Sequence, residues 1–207
     1  GQPAPVGVIG TVMANILLTG ASRGIGAAAR TLLEQSGHTV IGQSTAGADG
    51  LIAADFAQPR AADALWAAAL GQAGGRIDVL VNNAGFEVQG AIEQIDDVLM
   101  QRQLETNVMG PLRTMRAVLP AWSERGSGVI VNVSSIAGRV APPYSGAYAA
   151  SKHALEALTE SLHFEVSHLG IRVHLIEPGR FPTNFSDNIV FPPTWEGSPH
   201  EDRALIF

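Results

Sequence analysis

Tyr148 and Lys152 lie four residues apart in a stretch, 145–168, whose pattern predicts a long helix. Residues i and i+4 of a helix share one face, so the lysine ammonium can sit beside the tyrosine phenol. A free phenol has a pKa near 10, and a neighbouring positive charge lowers that pKa. The pair therefore predicts a hydroxyl that can exchange a proton with a substrate. A functionless Tyr–Lys pair on an exposed face is the alternative for this pattern taken alone.

A second candidate feature is the glycine-rich segment TGASRGIG at residues 19–26. Gly20 permits a sharp turn, Gly24 lets the backbone approach a phosphate, and Gly26 lets a helix pack closely on a strand. The N–H groups at the helix start suit a pyrophosphate. A tight turn without a ligand is the alternative, but the strand–turn–helix context favours dinucleotide binding.

The elements that must position these residues are short apolar runs alternating with longer amphipathic stretches. The alternation predicts an α/β fold, a parallel sheet with helices on both faces. Ligands bind such sheets at the carboxyl ends of the strands, where Ser135, Asn83 and Gly179 fall. The predicted strands are 15–19, 39–43, 51–54, 79–82, 128–133 and 172–176. The predicted helices are 25–35, 58–73, 96–124 with a kink at Pro111, and 145–168.

Several ordered motifs together resemble those of the short-chain dehydrogenase/reductase family. TGASRGIG is similar to its TGxxxGxG motif, and NNAG at residues 82–85 and YAASK at residues 148–152 are similar to its NNAG and YxxxK motifs. Pro178-Gly179 with Thr183 is similar to its PG…T segment, and the resemblance covers residues 15 to 185. It implies a Rossmann-like doubly wound parallel sheet with strand order 3-2-1-4-5-6. It also implies hydride transfer between a nicotinamide coenzyme and a carbonyl or secondary alcohol.

The resemblance also implies a role for each of four residues. Tyr148 would be the general acid or base, Lys152 would hold the nicotinamide ribose, and Ser135 would polarise the substrate oxygen. Asn107 would help to keep a water that links the lysine to solvent. Ser135 is preferred to Ser134 by its offset from Tyr148, since successive strand residues point to opposite sides.

The remaining tyrosine and two aromatic residues of the tail are not assigned a catalytic role. Tyr144 has no lysine at i+4, so it is interpreted as a loop or pocket-wall residue. Trp195 and Phe191 either line a pocket for an apolar substrate or anchor the loop.

The coenzyme is predicted to be NADP(H) in preference to NAD(H). A carboxylate after the second strand would bind the ribose 2′-OH and select NAD, yet none occurs before Asp49. Ser44 and Thr45 would not repel a 2′-phosphate, and Arg23 could pair with it. Because no arginine follows the second strand, NAD(H) stays open. The predicted coenzyme contacts are Gly20, Ser22, Arg23, Gly24, Ile25, Gly26, Ser44, Thr45, Asp55, Phe56, Asn83, Ala84, Gly85, Tyr148, Lys152, Pro178, Gly179, Phe181 and Thr183.

The amino-acid composition argues against several classes of binding partner and of metal site. The 207 residues include 13 Lys and Arg against 19 Asp and Glu, a net charge of −6, which argues against nucleic acid and anionic membranes. There is no Cys, which excludes disulfides and thiolate metal sites, and no metal site is predicted. We expect a cytoplasmic enzyme acting on a small carbonyl or alcohol, and the resemblance implies a homodimer or homotetramer.

The ends of the chain carry separate predictions. Residues 1–12 have neither Lys nor Arg and are interpreted as a leader or a non-native remnant. Residues 13–207 are expected to form a single coenzyme-binding and catalytic domain. From residue 182 a Pro-rich stretch predicts a long substrate loop without a clear helix and with a late turn at 201–207. The family's seventh strand has no counterpart before Phe207.

Two other functions are compatible with the same fold. One is a non-catalytic dinucleotide-binding or sensor protein, and the other is a lyase or epimerase that keeps a bound coenzyme. The combined set of Tyr148, Lys152, Ser135 and Asn107 favours the oxidoreductase, because a pure binder does not need a tyrosine–lysine pair.

Overall fold

The computed structural model describes residues 13–179 and 187–204. The predictions for residues 1–12, Phe181 and Thr183 lie outside the described residues. The described ranges contain eight strands, in chain order: Asn15–Leu18 (β1), Thr39–Ser44 (β2), Ile52–Ala53 (β3), Val79–Asn82 (β4), Glu87–Val88 (β5), Gly128–Val133 (β6), Ile171–Ile176 (β7) and Ile189–Val190 (β8). The α-helices are Gly24–Gln35 (α1), Ala61–Gln72 (α2), Asp97–Leu104 (α3), Gly110–Arg125 (α4), Gly146–Val166 (α5) and Glu201–Ala204 (α6).

Six of these strands form one parallel sheet in the order β3-β2-β1-β4-β6-β7. Counted along the chain within this sheet, that is the predicted order 3-2-1-4-5-6, so the predicted α/β fold is confirmed. All six strands run in the same direction, and helices connect each successive pair of them except β2 and β3. The carboxyl ends of all six strands therefore meet at one edge.

Apolar residues on both sides of the strands hold helices on both faces of the sheet. Leu17, Leu80 and Ile130 belong to the larger core, together with side chains of α2, α4 and α5. Leu18 and Val81 point the other way and pack with Ala29 of α1. This explains the continuous apolar runs in the sequence, because strands buried on both faces need no polar alternation.

The segment 96–124, predicted as helical with a kink at Pro111, is helical and is interrupted, but the interruption lies just before that proline. Helix α3 ends at Leu104, a π-helical turn follows at Glu105–Met109, and α4 then begins. The interruption therefore precedes Pro111, which lies in the first turn of α4, where the missing N–H of a proline is not needed.

The tail contains more regular structure than the predicted loop. Strand β8 pairs in parallel with β5, and α6 follows at residues 201–204. The prediction missed both strands of this pair because a run of two residues carries no periodic signal. The pairing brings residues 187–204 against the segment that follows β4.

Candidate active site

The turn between β1 and α1 has the geometry that its glycines allow. Gly20 has φ +67° and Gly24 has φ +56°, both in the left-handed region. A Cβ on Gly26 would collide with the carbonyl oxygen of Gly20, so only glycine lets the helix start so close to the turn. Gln43 of β2 fixes the turn, since its Oε1 accepts a hydrogen bond from Gly20 N at 2.9 Å. The sequence analysis missed Gln43, because a strand pattern gives no sign of this contact.

The space in front of Gly24 fits a phosphate group. Among the described residues, no atom outside the adjoining backbone lies within 4 Å of the position that a Cβ on Gly24 would take. No side chain caps the N-terminus of α1 at Arg23, so its first N–H groups and its partial positive charge are available to an anion. The chain's own backbone thus fits the diphosphate of a dinucleotide.

Hydrogen bonds connect the loop after β4 to the glycine turn. Asn83 Nδ2 donates to the carbonyl oxygens of Thr19 and Gly20, each at 3.1 Å. In return, Thr19 Oγ1 accepts hydrogen bonds from the backbone N–H groups of Asn83 and Ala84 at 3.0 Å. The two coenzyme-side segments are therefore held together by side chains, and Thr19 is a further residue that the sequence analysis missed.

Asn107 lies in the π-helical turn and is 1% exposed. Its Oδ1 accepts from Phe86 N at 3.2 Å, and its Nδ2 donates to Phe86 O at 2.9 Å and to Ser151 Oγ at 3.2 Å. A Cβ on Gly85 would lie 3.3 Å from Asn107 Oδ1 and 3.8 Å from Lys152 Nζ. The structure thus places Asn107 close to Lys152, although Asn107 is not among the residues that line the active-site cavity.

The hydroxyls of Ser135 and Tyr148 are hydrogen-bonded to each other. Ser135 lies just beyond the end of β6, where its Oγ also accepts from Ala137 N at 3.1 Å. Ser134 points elsewhere, and its Oγ donates to Glu156 Oε1 at 2.8 Å. The structure therefore brings together the predicted serine and tyrosine and separates the two adjacent serines, in line with strand alternation.

Lys152 is a buried amine, 5% exposed, and the only lysine of the sequence. Its Nζ donates to Val133 O at 2.8 Å and lies 5.6 Å from the centre of the Tyr148 ring. Burial lowers the pKa of Lys152 to about 8, and the Glu156 carboxylate one turn further along α5 opposes that effect. The amine is therefore mostly charged at neutral pH.

The phenol of Tyr148 has a raised rather than a lowered pKa. Burial raises the pKa of Tyr148 to about 12, the Ser135 hydrogen bond lowers it, and the Glu87 carboxylate raises it further. The expectation of a lowered pKa is therefore wrong for the chain by itself, because desolvation of the phenolate outweighs the other effects. The hydroxyl is protonated at neutral pH.

A cavity of about 840 Å³ at the carboxyl ends of the strands connects these features. All the predicted coenzyme contacts within the described residues line it, as does Ser135. They are Gly20, Ser22, Arg23, Gly24, Ile25, Gly26, Ser44, Thr45, Asp55, Phe56, Asn83, Ala84, Gly85, Tyr148, Lys152, Pro178 and Gly179.

The end of the cavity near Tyr148 has walls that the sequence analysis did not single out. Phe86, Glu87 and Arg102 line it, together with Ser145. Ser145 Oγ donates to Glu87 Oε1 at 2.7 Å, and the Arg102 guanidinium lies 4.9 Å from the centre of the Phe86 ring. This end of the cavity is thus lined by the Phe86 ring, the Glu87 carboxylate and the Arg102 guanidinium.

The aromatic residues of the tail form a cluster beside the cavity. The Trp195 ring lies 5.5 Å from Phe191 and 5.7 Å from Tyr144, centre to centre, and Trp195 is buried. None of the three lines the cavity. Of the two interpretations for Trp195 and Phe191, the structure favours anchoring of the tail, and Tyr144 is a loop residue rather than a pocket wall.

The described residues include neither a cluster of metal ligands nor a membrane-spanning helix. Residues 13–179 and 187–204 contain no group of three or more His, Asp or Glu side chains that could hold a metal ion. In the same ranges, no helix combines the length and the apolar character needed to cross a membrane.

Comparison with known proteins identifies the family. The family model described as short chain dehydrogenase matches residues 14–191, which include the glycine turn, the tyrosine and the lysine. The chain belongs to the short-chain dehydrogenase/reductase family. Curated proteins that are similar to this chain include one named as a reductase and one named as an uncharacterized oxidoreductase.

One curated relative and one solved structure show the extent of the similarity. The 3-ketodihydrosphingosine reductase of Bacteroides thetaiotaomicron is 37% identical over 180 residues, which cover 84% of this chain and 66% of that protein. The chain thus spans about two thirds of that relative. A short-chain dehydrogenase structure from Streptomyces avermitilis has a TM-score of 0.83 and 36% identity, covering 94% of this chain and 78% of that one.

Two further solved neighbours carry coenzymes. A 4-hydroxyisoleucine dehydrogenase complexed with NADH has a TM-score of 0.77 and 30% identity, covering 82% of this chain and 77% of that one. ElxO with NADP bound has the same TM-score and 25% identity, covering 85% and 77%. The neighbours therefore support a nicotinamide dinucleotide as the cofactor and do not choose between its two forms.

Proposed function

We propose that this protein is an NADP(H)-dependent oxidoreductase that interconverts a carbonyl group and a secondary alcohol. The observation that carries the proposal is the hydrogen-bonded pair of hydroxyls, Ser135 and Tyr148, in one cavity with Lys152 and the glycine turn. A substrate oxygen that contacts both hydroxyls would be oriented and polarised by Ser135 and would exchange a proton with Tyr148. When bound, the coenzyme supplies or accepts the hydride.

In the direction of reduction, Tyr148 would act as the general acid. With a pKa raised to about 12, Tyr148 carries its proton at neutral pH and can give it to the oxygen of a carbonyl. The phenolate left behind would accept a hydrogen bond from Ser135 and would lie near the charge of Lys152. General acid catalysis of this kind contributes roughly 10²–10⁴-fold to a rate.

Lys152 would act on two partners at once. An ammonium has three donors, and Val133 O takes one of them. Another donor would bind the nicotinamide ribose. Asn107 stays a predicted support of the proton relay, and its three hydrogen bonds hold the backbone of Phe86 and the start of α5 on either side of the lysine.

NADP(H) is the proposed form of the coenzyme. Arg23, Ser44 and Thr45 all line the cavity. Ser44 and Thr45 stand at the end of β2, where a carboxylate would select NAD. Asp55 also lines the cavity, but its Oδ1 accepts a hydrogen bond from Ala57 N at 3.0 Å, which engages it with its own loop. Arg23 would therefore face a 2′-phosphate without an acidic competitor in β2.

A ketone is the proposed substrate class. The name of the Bacteroides thetaiotaomicron relative describes reduction of a keto group, which agrees with the protonated Tyr148. A cytoplasmic location and a homodimer or homotetramer remain predictions from the sequence.

A coupled screen tests the proposal. The purified protein is mixed with NADPH or NADH and a panel of ketones, and with NADP⁺ or NAD⁺ and the matching alcohols, while absorbance at the nicotinamide band is followed. We expect ketone-dependent oxidation of NADPH with a higher kcat/KM than with NADH. Coenzyme binding without turnover of any compound would instead support a sensor. Substrate conversion without net NADPH consumption would support a lyase or epimerase.

A further inference from the structure

Glu156 is a buried carboxylate that the proposed chemistry does not use. It lies on α5 one helical turn beyond Lys152, and its side chain is 8% exposed. A Cβ on Gly138 would collide with Glu156 Oε1, so the loop after Ser135 packs directly on this carboxylate. Burying a carboxylate is costly unless it is paired, which suggests that the site needs its charge.

Lys152 and Glu156 form hydrogen bonds with two consecutive residues, Val133 and Ser134, at the end of β6. Lys152 Nζ donates to Val133 O at 2.8 Å, and Glu156 Oε1 accepts from Ser134 Oγ at 2.8 Å. The next residue is Ser135. Two side chains from one face of α5 therefore fix the strand end immediately before the serine whose hydroxyl meets Tyr148.

The second oxygen of the same carboxylate extends this contact to the coenzyme side. Arg139 Nε lies 2.8 Å from Glu156 Oε2, and the guanidinium also donates to Glu177 Oε1 at 2.7 and 2.9 Å. Glu177 directly precedes the turn of Pro178, whose carbonyl accepts from Ile136 N at 3.0 Å. Three cavity-lining segments thus converge on Glu156.

We propose that Glu156 is a positioning residue, which holds the strand end that carries Ser135 and the ammonium of Lys152 in their working arrangement. This inference rests on the proposed function, since it assigns Glu156 to the same proton-transfer site. Among the described residues, Lys152 on its own helix and Arg139 from the loop after β6 interact with the Glu156 carboxylate, and Arg139 also interacts with Glu160 and Glu177.

The experiment compares Glu156→Gln with Glu160→Gln. Both remove one charge from α5, but Glu160 is exposed and one turn further from the cavity. Because Lys152 is the only lysine, protein labelled with ¹³C-lysine gives one Cε resonance whose titration reports its pKa without coenzyme. We expect Glu156→Gln to lower that pKa by about one unit, since the opposite charge is lost. We expect kcat to fall about tenfold and the KM for NADPH to change little. Glu160→Gln should change neither quantity.

The high-pH limb of kcat gives a further readout. If the ammonium form of Lys152 is needed, this limb should move to lower pH in Glu156→Gln by the same amount as the NMR titration. A fall in kcat at every pH with an unmoved lysine titration would overturn the inference, because it would leave only a packing role. An unchanged kcat would overturn it as well.

Glu156→Asp is the second variant and covers the case in which the glutamine protein does not fold. It keeps the charge near Lys152 but is one methylene too short to reach Ser134 Oγ. We expect a lysine titration like that of the wild type with a reduced kcat, and wild-type turnover would contradict the positioning role. If the wild type reduces no ketone at all, the proposed function fails, whereas the Lys152 titration still decides whether Glu156 supports the ammonium.

Discussion

Lys152 holds a charge in a place where burial opposes it. The amine is almost fully buried, yet it donates to a neutral carbonyl, Val133 O. The Glu156 carboxylate, whose charge supports the ammonium, is itself bound to Ser134 and Arg139. Such an arrangement suits an amine that must bind a ligand and tune a neighbouring phenol. At the scale of single residues, the site therefore gives up stability to keep its ammonium in position.

Replacing this amine should make the protein more stable and inactive. A fall in the pKa of Lys152 from 10.5 to about 8 corresponds to a penalty of about 3 kcal/mol at pH 7, and the lost hydrogen bond to Val133 O returns about 1 kcal/mol of it. We expect Lys152→Met to raise the free energy of unfolding by about 2 kcal/mol, measured by urea denaturation.

The pH dependence of that gain has a definite sign. Because the native pKa lies below the unfolded one, the unfolded state binds more protons between pH 8 and 10.5. The wild type should therefore recover stability relative to Lys152→Met as the pH rises through this window. A variant that is less stable than the wild type at pH 7 would show that the buried charge is better solvated than the structure implies.

Arg23 gives a second prediction at this scale. If its guanidinium pairs with the 2′-phosphate, Arg23→Ala should raise the KM for NADPH about tenfold or more and leave the KM for NADH nearly unchanged. Steady-state kinetics with both coenzymes measure the ratio. Equal losses with NADPH and NADH would mean that Arg23 supports the glycine turn and does not read the phosphate.

At the scale of elements, the π-helical turn Glu105–Met109 positions Asn107. Such turns often occur at functional sites, because the extra residue per turn redirects a side chain. Here the amide of Asn107 satisfies both backbone groups of Phe86 and reaches Ser151 of α5. A sequence pattern over 96–124 cannot show this, since the reason lies in partners from other elements.

The packing of α1 on the glycine turn can be tested with two glycines that both lie within helices. Gly26→Ala would push a methyl group into the carbonyl of Gly20 and to 2.6 Å from Asn83 Nδ2, so we expect a destabilisation of about 2 kcal/mol or more and weaker coenzyme binding. Gly71 in α2 is exposed with nothing within 4 Å of its Cβ position, so Gly71→Ala should stabilise by about 0.5–1 kcal/mol. Thermal unfolding with and without NADPH measures both, and equal effects would refute the close-packing account.

The sequence predicted those parts of the molecule that depend on local pattern. The strands β1, β4 and β6 follow from buried apolar runs, and the Tyr148–Lys152 pair follows from helix spacing. Gln43, Thr19 and Glu156 escaped notice, because each acts through a contact with a distant segment. The raised pKa of Tyr148 was also missed, since burial depends on packing that spacing does not reveal.

At the scale of the whole molecule, the strand order gathers the site at one edge of the sheet. The glycine turn, Asn83 and Ser135 follow three adjacent strands, β1, β4 and β6. Helix α5 packs against β7 and the turn after β6, and it brings Tyr148 and Lys152 to the same edge. The tail packs beside the cavity, because β8 pairs with β5 and Ile189 of β8 lines the cavity. Gln94 Nε2 also donates a hydrogen bond to Thr194 O at 2.7 Å. Residues from distant parts of the chain therefore meet around one cavity.

The most direct test of the account uses the two tyrosines of the sequence as a matched pair. Tyr148→Phe should lower kcat for ketone reduction by at least about two orders of magnitude, because the proton donor is lost, while NADPH still binds with nearly unchanged affinity by fluorescence titration. Tyr144→Phe removes a hydroxyl outside the cavity and should stay within about threefold of the wild type. Near-normal turnover by Tyr148→Phe, with NADPH bound, would contradict the central claim that this hydroxyl transfers the proton.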